Sequence, residues 1–385
     1  MARGQSRAAG ASPRGPKWFR PVFFPEAHLA PHPPPPGDRS LTRADRLRDN
    51  RGVRRLLDNE GLAAVVRRFA GRPRVAVIGD VVVDEYIYGQ TERISREAPV
   101  LIVRQEETER KLGGAANAAA NLASRGARGS LVGVGGDDET GRAFKGLCTA
   151  AGVEPRLSRV KGQPTESKIR ILAGGINTTR QQMLRLDRGR QGPLPAEAAA
   201  ALVEEVRRAA QEADAIVVSD YGSGALCPEV IEAVLAVSRE GAKVCVDSRY
   251  NLAAFHGVLL AKPNEPELSA ATGLPVGPVE ETLKAGKTLQ RSLGCHAVLV
   301  TRGRSGMALL EKGRSPDLIP VHGAAEAVDV TGAGDTVIAT LTLAIASGAS
   351  LGEAARVANV AGGLVVQKPG TATITRAELL AELGG

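Results

Sequence analysis

Asp329-Val330-Thr331-Gly332-Ala333-Gly334-Asp335-Thr336 decides the reading of this chain. An apolar, strand-like approach precedes it, and residues 337–346 after it form an apolar run long enough for a buried helix. A Gly-Ala-Gly turn opening a helix leaves unpaired backbone N–H groups at the positive end of the helix dipole, which suits a phosphate or an oxyanion. Small residues let the backbone approach that anion closely. A carboxylate there repels phosphate, so Asp335 makes chemical sense as a base. It would take the proton of a hydroxyl that attacks the phosphate held beside it. The same residues would also serve as a plain Gly-rich helix entry with Asp335 as a first-turn charge, so the rest of the chain has to decide.

At 385 residues there is room for one large α/β domain or two ordinary ones, and 43% hydrophobic residues support a sizeable core. No apolar run reaches the ~20 residues that span a bilayer, so no membrane partner is expected. Cys148, Cys227, Cys245 and Cys295 are scattered, with neither metal-ligand spacing nor a disulfide pattern. They read as buried thiols in a reducing compartment, and the expected location is cytoplasmic. The net charge of +8 is unevenly spread. Residues 1–74 hold 16 Lys and Arg against 6 Asp and Glu, or +10, which leaves −2 on the rest. The basicity belongs to an appendage, and no nucleic-acid partner is expected of the body.

Residues 1–38, rich in Pro, Gly, Arg and Ala, read as a disordered basic tail without the apolar core of a secretory signal. Residues 39–71 read as a helical lead-in with Leu56, Leu57, Val65, Val66 and Phe69 as its apolar positions and Asp58/Asn59 as a break or cap. The main domain is expected over 72–385. It begins with Val75-Ala76-Val77-Ile78-Gly79-Asp80, a continuous apolar run typical of a parallel strand covered on both faces. Period-2 stretches at 84–88, 100–105, 167–173 and 182–187 predict a small, half-exposed sheet, a lid drawn from segments near 84–112 and 165–188. Helices at 196–210, 228–239 and 279–292 then alternate with strands at 215–219, 243–247, 258–261 and 297–301. That order predicts a mostly parallel, doubly wound sheet. Functional residues belong at the C-terminal ends of its strands, where Asp80, Asp220, Asp247, Asn264 and Thr301 fall.

Further motifs carry chemistry. Gly113-Gly114-Ala115-Ala116-Asn117 combines glycines that admit a ligand to the backbone with an amide that offers donor and acceptor to a polyol, or else it packs a helix tightly. Asp80 and Asp84 follow the first strand, where carboxylates accept from sugar hydroxyls unless one merely caps a turn. In Lys262-Pro263-Asn264-Glu265-Pro266-Glu267, Asn264 and Glu267 share one side of a helix start. As hard oxygen donors they suit Mg²⁺ through water; as an Asn cap with Glu three residues on they are equally a capping box. Thr301-Arg302-Gly303 through Gly306 forms a polar strand exit suited to nucleotide phosphates, and Asn359, Lys368, Gly370 and Thr371 either frame an adenine pocket or close the fold. There is no P-loop motif. Gly133-Val134-Gly135-Gly136-Asp137 lacks the dinucleotide spacing, and five scattered His give no basis for His catalysis or zinc.

Taken in order, Gly113-Gly114…Asn117, Asn264…Glu267, Thr301…Gly306 and Asp329–Asp335 resemble the motif set of the ribokinase-like (PfkB) sugar kinases, from about Arg72 to the C-terminus. The resemblance implies a three-layer α/β/α sandwich with a mostly parallel central sheet and a small β lid, which allows a homodimer through the lid. It implies ATP and Mg²⁺ as cofactors, with a monovalent cation (K⁺) near the loop 329–331. By position it makes Asp335 the base and the Gly332, Ala333 and Gly334 amides an anion hole. Asn264 and Glu267 would hold Mg²⁺ through water, and Asn264, Thr301, Gly303, Gly306 and Asn359 would surround ATP. Asp80, Asp84, Gly113, Gly114, Asn117, Lys168 and Arg170 would surround the acceptor.

A narrower likeness lies in Gly79-Asp80-Val81-Val82-Val83-Asp84 and Arg93-Ile94-Ser95-Arg96-Glu97-Ala98-Pro99-Val100. These strings are similar to the kinase domain of bacterial heptose-7-phosphate kinases, which phosphorylate the anomeric hydroxyl of a sugar phosphate. Leu184-Arg185-Leu186-Asp187 and Ser219-Asp220-Tyr221-Gly222 agree with it. Ser223 departs from an expected Lys, Ser248-Arg249 stands for a Pro-Lys pair, and no nucleotidyltransferase His-x-Gly-His motif follows. The expectation is an ATP-dependent kinase of a sugar phosphate. Its alternatives are a kinase of an unphosphorylated sugar, sugar acid or nucleoside, or a silent sugar-binding relative, which would be expected to have lost Asp335 or the glycines. A phosphorylated acceptor needs lid cations. Lys168 and Arg170, two apart in a strand, share a face, and Arg185 and Arg93 are further candidates.

Overall fold

Val75 and Val77 point into one hydrophobic core and Ala76 and Ile78 into another. The period of two sorts an unbroken apolar run onto both faces of a sheet that helices cover on each side. The computed structural model describes residues 58–175, 179–323 and 327–385. The expected tail at 1–38 and the lead-in as far as residue 57 lie outside the described residues.

The first half holds α1 (Asn59–Arg68), β1 (Arg74–Gly79), β2 (Val81–Ile94), β3 (Leu101–Gly114), α2 (Ala115–Ser124), β4 (Arg128–Gly136), α3 (Glu139–Ala150) and β5 (Val153–Val160). Then come β6 (Ser167–Gly174), β7 (Gln181–Arg188), α4 (Ala196–Glu212), β8 (Ala215–Asp220), α5 (Pro228–Arg239), β9 (Val244–Ser248) and β10 (Leu260–Ala261). The last part holds α6 (Glu265–Thr272), α7 (Val279–Leu293), β11 (Ala297–Thr301), β12 (Met307–Glu311), β13 (Asp317–Ile319), α8 (Ala333–Ala346), α9 (Leu351–Val365) and α10 (Arg376–Glu382).

The main sheet runs β13-β12-β11-β10-β9-β8-β1-β4-β5, parallel from β11 to β5 with antiparallel pairs at β12 and β13. The C-terminal ends of β1, β8, β9, β10 and β11 therefore share one edge. The second sheet, β3-β2-β6-β7, pairs β2 antiparallel to β3 and parallel to β6. Only Asp80 separates β1 from β2, so this lid grows directly out of the body. Val81, Val82 and Val83 are buried, whereas β7 is exposed along its whole length.

Helix α8 is apolar on nearly every side because it is sandwiched between α2, α9 and strands β8 and β9. Its N-terminus emerges beside the shared strand edge. The approach to it is no strand: Val328 and Asp329 N–H groups donate to the Val366 carbonyl, and Val328 and Val330 are exposed. Their apolar character comes from a turn lying over α9, a short-range accident of composition that period alone cannot separate from a strand. The strand expected at 258–261 shrinks to Leu260–Ala261.

Candidate active site

Asp335 sits in the first turn of α8, fully enclosed, and its two oxygens are held from different elements. Asn117 on α2 donates its Nδ2 to Oδ2 at 2.8 Å, and the Tyr221 hydroxyl, just beyond β8, donates to Oδ1 at 2.8 Å. Gly332, the residue that caps α8, adopts φ +77°, and a Cβ there would lie 2.7 Å from Asn117 Nδ2. Glycine is required on both counts. The Ala333 N–H turns back to the Val330 carbonyl. Those of Gly334 and Asp335 have no partner among the described residues, and they face a cleft of about 900 Å³.

At its lid end this cleft is lined by Asp84, Lys168, Arg170, Arg185, Tyr221 and Arg249, and at its far end by Thr301, Gly303, Gly306, Met307 and Asn359. Lys262, Asp247, Asn264 and Glu267 line the stretch next to Asp335 and Gly334. Lys262 is buried with its Nζ 2.9 Å from Asp247 Oδ2. A cation, a base and free amides thus share one enclosed space with room for two substrates, the arrangement that a phosphoryl transfer to an alcohol requires. Residues 72–378 match the pfkB family of carbohydrate kinases. The chain belongs to that family.

Two relatives are the bifunctional protein HldE of Caulobacter vibrioides, 42% identical over 327 residues, and that of Chromohalobacter salexigens, 42% identical over 315. The matches cover 84% and 81% of this chain and 66% and 64% of those proteins, so the chain spans just under two thirds of the relatives' length. Among solved structures, Arabidopsis thaliana ribokinase complexed with ribose and ATP aligns with TM-score 0.63 at 24% identity, covering 81% of this chain and 98% of that one. Phosphofructokinase-2 of Escherichia coli in complex with potassium aligns with TM-score 0.67 at 20% identity, covering 81% and 100%. These likenesses show the ribokinase-like sandwich and lid.

Within this pfkB chain several expected contacts fall elsewhere. Asp80 does not face the cleft: its carboxylate accepts the N–H groups of Tyr221, Ser223 and Ala225, fixing the loop after β8. Asn117, expected at a polyol, donates its Nδ2 to Asp335 and so positions that carboxylate. Gly113 lies under Asp84, where a Cβ would come within 2.4 Å of Oδ2, so it makes room for a carboxylate that pairs with Arg170 at 2.6 Å. Asn264 and Glu267 form the capping box of α6, with Asn264 N–H to Glu267 Oε2 at 2.9 Å and Glu267 N–H to Asn264 Oδ1 at 2.7 Å. Asn359 keeps its place at the far end of the cleft but spends its Nδ2 on the Pro320 carbonyl, whereas Lys368 pairs with Glu378 and closes the fold. Arg93 is exposed near the far end of β2 and does not line the cleft.

Burial lifts the Asp335 carboxyl to about 7 against the two hydrogen bonds that favour its ionised form, with the Asp247 carboxylate adding to the rise. Burial disfavours the Lys262 ammonium, but Asp247 and Glu267 prevail and hold its pKa above the usual value. Burial also raises Glu267, and Asp247 raises it further. Asp247 was expected only as one of the strand-end residues, and Lys262, Tyr221 and Arg249 carried no functional expectation as single residues. The available signal was position: each lies at, or within two residues of, the end of a parallel strand.

Proposed function

We propose that this chain transfers the γ-phosphate of ATP to a hydroxyl of a sugar phosphate, the anomeric hydroxyl of a heptose 7-phosphate or a close analogue. The observation that carries it is Asp335 poised near neutrality beside unpaired helix N-terminal amides, in a cleft whose lid end is rich in cations. Membership of the pfkB family supports the chemistry, and the heptose-kinase-like strings along β2 support the acceptor. ATP takes the end of the cleft at Thr301, Gly303, Gly306 and Asn359, and the acceptor takes the lid end at Asp84, Gly114, Lys168 and Arg170. The acceptor hydroxyl gives its proton to Asp335 as its oxygen forms the new bond to the γ-phosphorus and the bond to ADP breaks. Lys262 and the Gly334 and Asp335 amides receive the charge that develops on the phosphoryl oxygens.

The donor set near Asp335 fits a hard divalent ion held mainly by phosphate oxygens and water. The capping box leaves one Glu267 oxygen facing the cleft, and no group of three His, Cys, Asp or Glu among the described residues is arranged as a metal cage. Mg²⁺ bound there would offset charge on the ATP phosphates. For a K⁺ near 329–331, Asp329 is the anchor. It is already tethered to the Thr331 and Gly370 N–H groups and is held below the usual carboxylate range by those hydrogen bonds, which outweigh its partial burial.

The four cysteines are unpaired thiols and no described helix is long and apolar enough to cross a membrane, in keeping with a cytoplasmic placement. Exposed Met183, Leu184 and Leu186 on edge strand β7 suit a homodimer through the lid. We further propose a tail over 1–38, a lead-in over 39–71 and the kinase domain over 72–385. The test of function is coupled ADP release against sugars and sugar phosphates. A heptose or hexose phosphate should give the highest kcat/KM; a preference for an unphosphorylated sugar or nucleoside would overturn the acceptor and leave the kinase.

A further inference from the structure

Five cations line the lid end of the cleft and its neighbourhood, and three of them are already spent. Arg170 pairs with Asp84, Arg185 makes two 2.7 Å hydrogen bonds to Asp187, and Lys262 pairs with Asp247. Lys168 and Arg249 are different. Among the described residues neither head group has a hydrogen bond or a carboxylate partner. Each instead lies against the same aromatic ring, Lys168 Nζ 4.9 Å and Arg249 Cζ 5.0 Å from the centre of Tyr221. They come from separate sheets, Lys168 from β6 of the lid and Arg249 from the residue after β9 of the body. Arg249 stands in the Ser248-Arg249 pair that departs from the expected Pro-Lys.

Two unpaired cations converging on one ring, Lys168 half-buried and Arg249 exposed at the mouth of the cleft, repel each other. Burial lowers the Lys168 pKa, and Arg185 and Arg249 add to that repulsion while Asp84 opposes it. Such a pair is stabilised by a dianion with several acceptor oxygens, which a guanidinium fork and an ammonium can share. Tyr221 sets where that dianion must lie, because the hydroxyl of the ring both cations touch donates to Asp335. We propose that Lys168 and Arg249 form the subsite for the phosphate of the acceptor and, with Tyr221 as spacer, select sugars whose phosphate lies at a set distance from the reacting hydroxyl. This inference rests on the sugar-phosphate reading above and assigns it two residues. Arg170 and Arg185, already engaged by Asp84 and Asp187, then leave the acceptor's phosphate itself to Lys168 and Arg249.

The experiment measures KM and kcat/KM of the full chain for fructose 6-phosphate, sedoheptulose 7-phosphate and a mannoheptose 7-phosphate, each beside its unphosphorylated sugar. The proteins are wild type, Arg249→Ala, Lys168→Ala and Arg249→Lys. Either alanine change should raise KM for the preferred sugar phosphate by ~10–100-fold, the loss of one charge-assisted contact. KM for ATP and for the unphosphorylated sugar should stay within about threefold, a split that loss of packing on Tyr221 would not give. Arg249→Lys should fall between wild type and Arg249→Ala. Sugar-phosphate KM values unchanged in both alanine variants would overturn the subsite, as would an equal loss for the unphosphorylated sugar. A wild-type enzyme that prefers unphosphorylated sugars would be recognised before any variant is made, and it would remove the acceptor reading together with the subsite.

Discussion

Arg125, the residue that ends α2, is fully buried, and its guanidinium donates only to the Asn121 carbonyl and side chain. Its Nε and Nη2 have no partner among the described residues. Burial pushes it down to about 9, against a weaker pull from Glu378, so at neutral pH it is still charged and the cost falls on the folded state. Its folded pKa lies well below that of an unfolded arginine, so its penalty is fully present below about pH 9 and fades only as pH rises from there toward the ordinary arginine range. Arg125→Met should therefore raise stability at pH 7 by roughly 1–3 kcal/mol, read as a higher melting temperature. An unchanged or lower one would show that the guanidinium is satisfied. In sequence, an Arg at a helix end reads as an ordinary C-terminal cation, because burial depends on residues over 200 positions away. The same limit explains Asp80 and Asn117: their residue types announced hydrogen bonding at a strand end and a helix start, but not whether the partner was a ligand or the protein.

Helices and strands with one dominant period were the legible elements. The apolar run of β1, the spacing of α5 behind Pro228 and the alternation of β6 and β7 gave bounds within a residue or two of those observed. Strand β4 escaped because Gly129, Gly133, Gly135 and Gly136 blank out its pattern, and β5 because Pro155 and Arg156 interrupt it. Helix α1 shows an element whose role is structural. Asp58 caps it by accepting the Gly61 N–H at 2.9 Å, and Leu62, Val65, Val66 and the following Phe69 are buried in the core with α9 and α10. Four such side chains contribute on the order of 6–12 kcal/mol, comparable to the whole ~5–15 kcal/mol stability of a domain. Removing residues 1–38 should leave melting and turnover unchanged, whereas removing 1–71 should abolish cooperative unfolding. A chain lacking 1–71 that melts like the full one would refute that role for α1.

At the scale of the molecule, the fold follows from the order of β-rich and helical runs. The position of the candidate site follows from where the parallel strands end. The glycine turn at 332–334 and Asp335 were legible because helix N-termini have fixed chemistry; Lys262 and Tyr221 were not, because their meaning depends on β8, β9 and β10 meeting α8. The central claim is that Asp335 takes the acceptor's proton. The most direct test is the pH profile of kcat/KM for the acceptor between about pH 5.5 and 9, for wild type and Asp335→Asn. With the carboxyl near 7, wild-type activity should climb with pH, close to tenfold per unit well below that value, and level off above it. Asp335→Asn should bind ATP normally and turn over at least ~100-fold more slowly, without that rise. An Asn variant with near-normal turnover and the same acid limb would contradict the role assigned to Asp335.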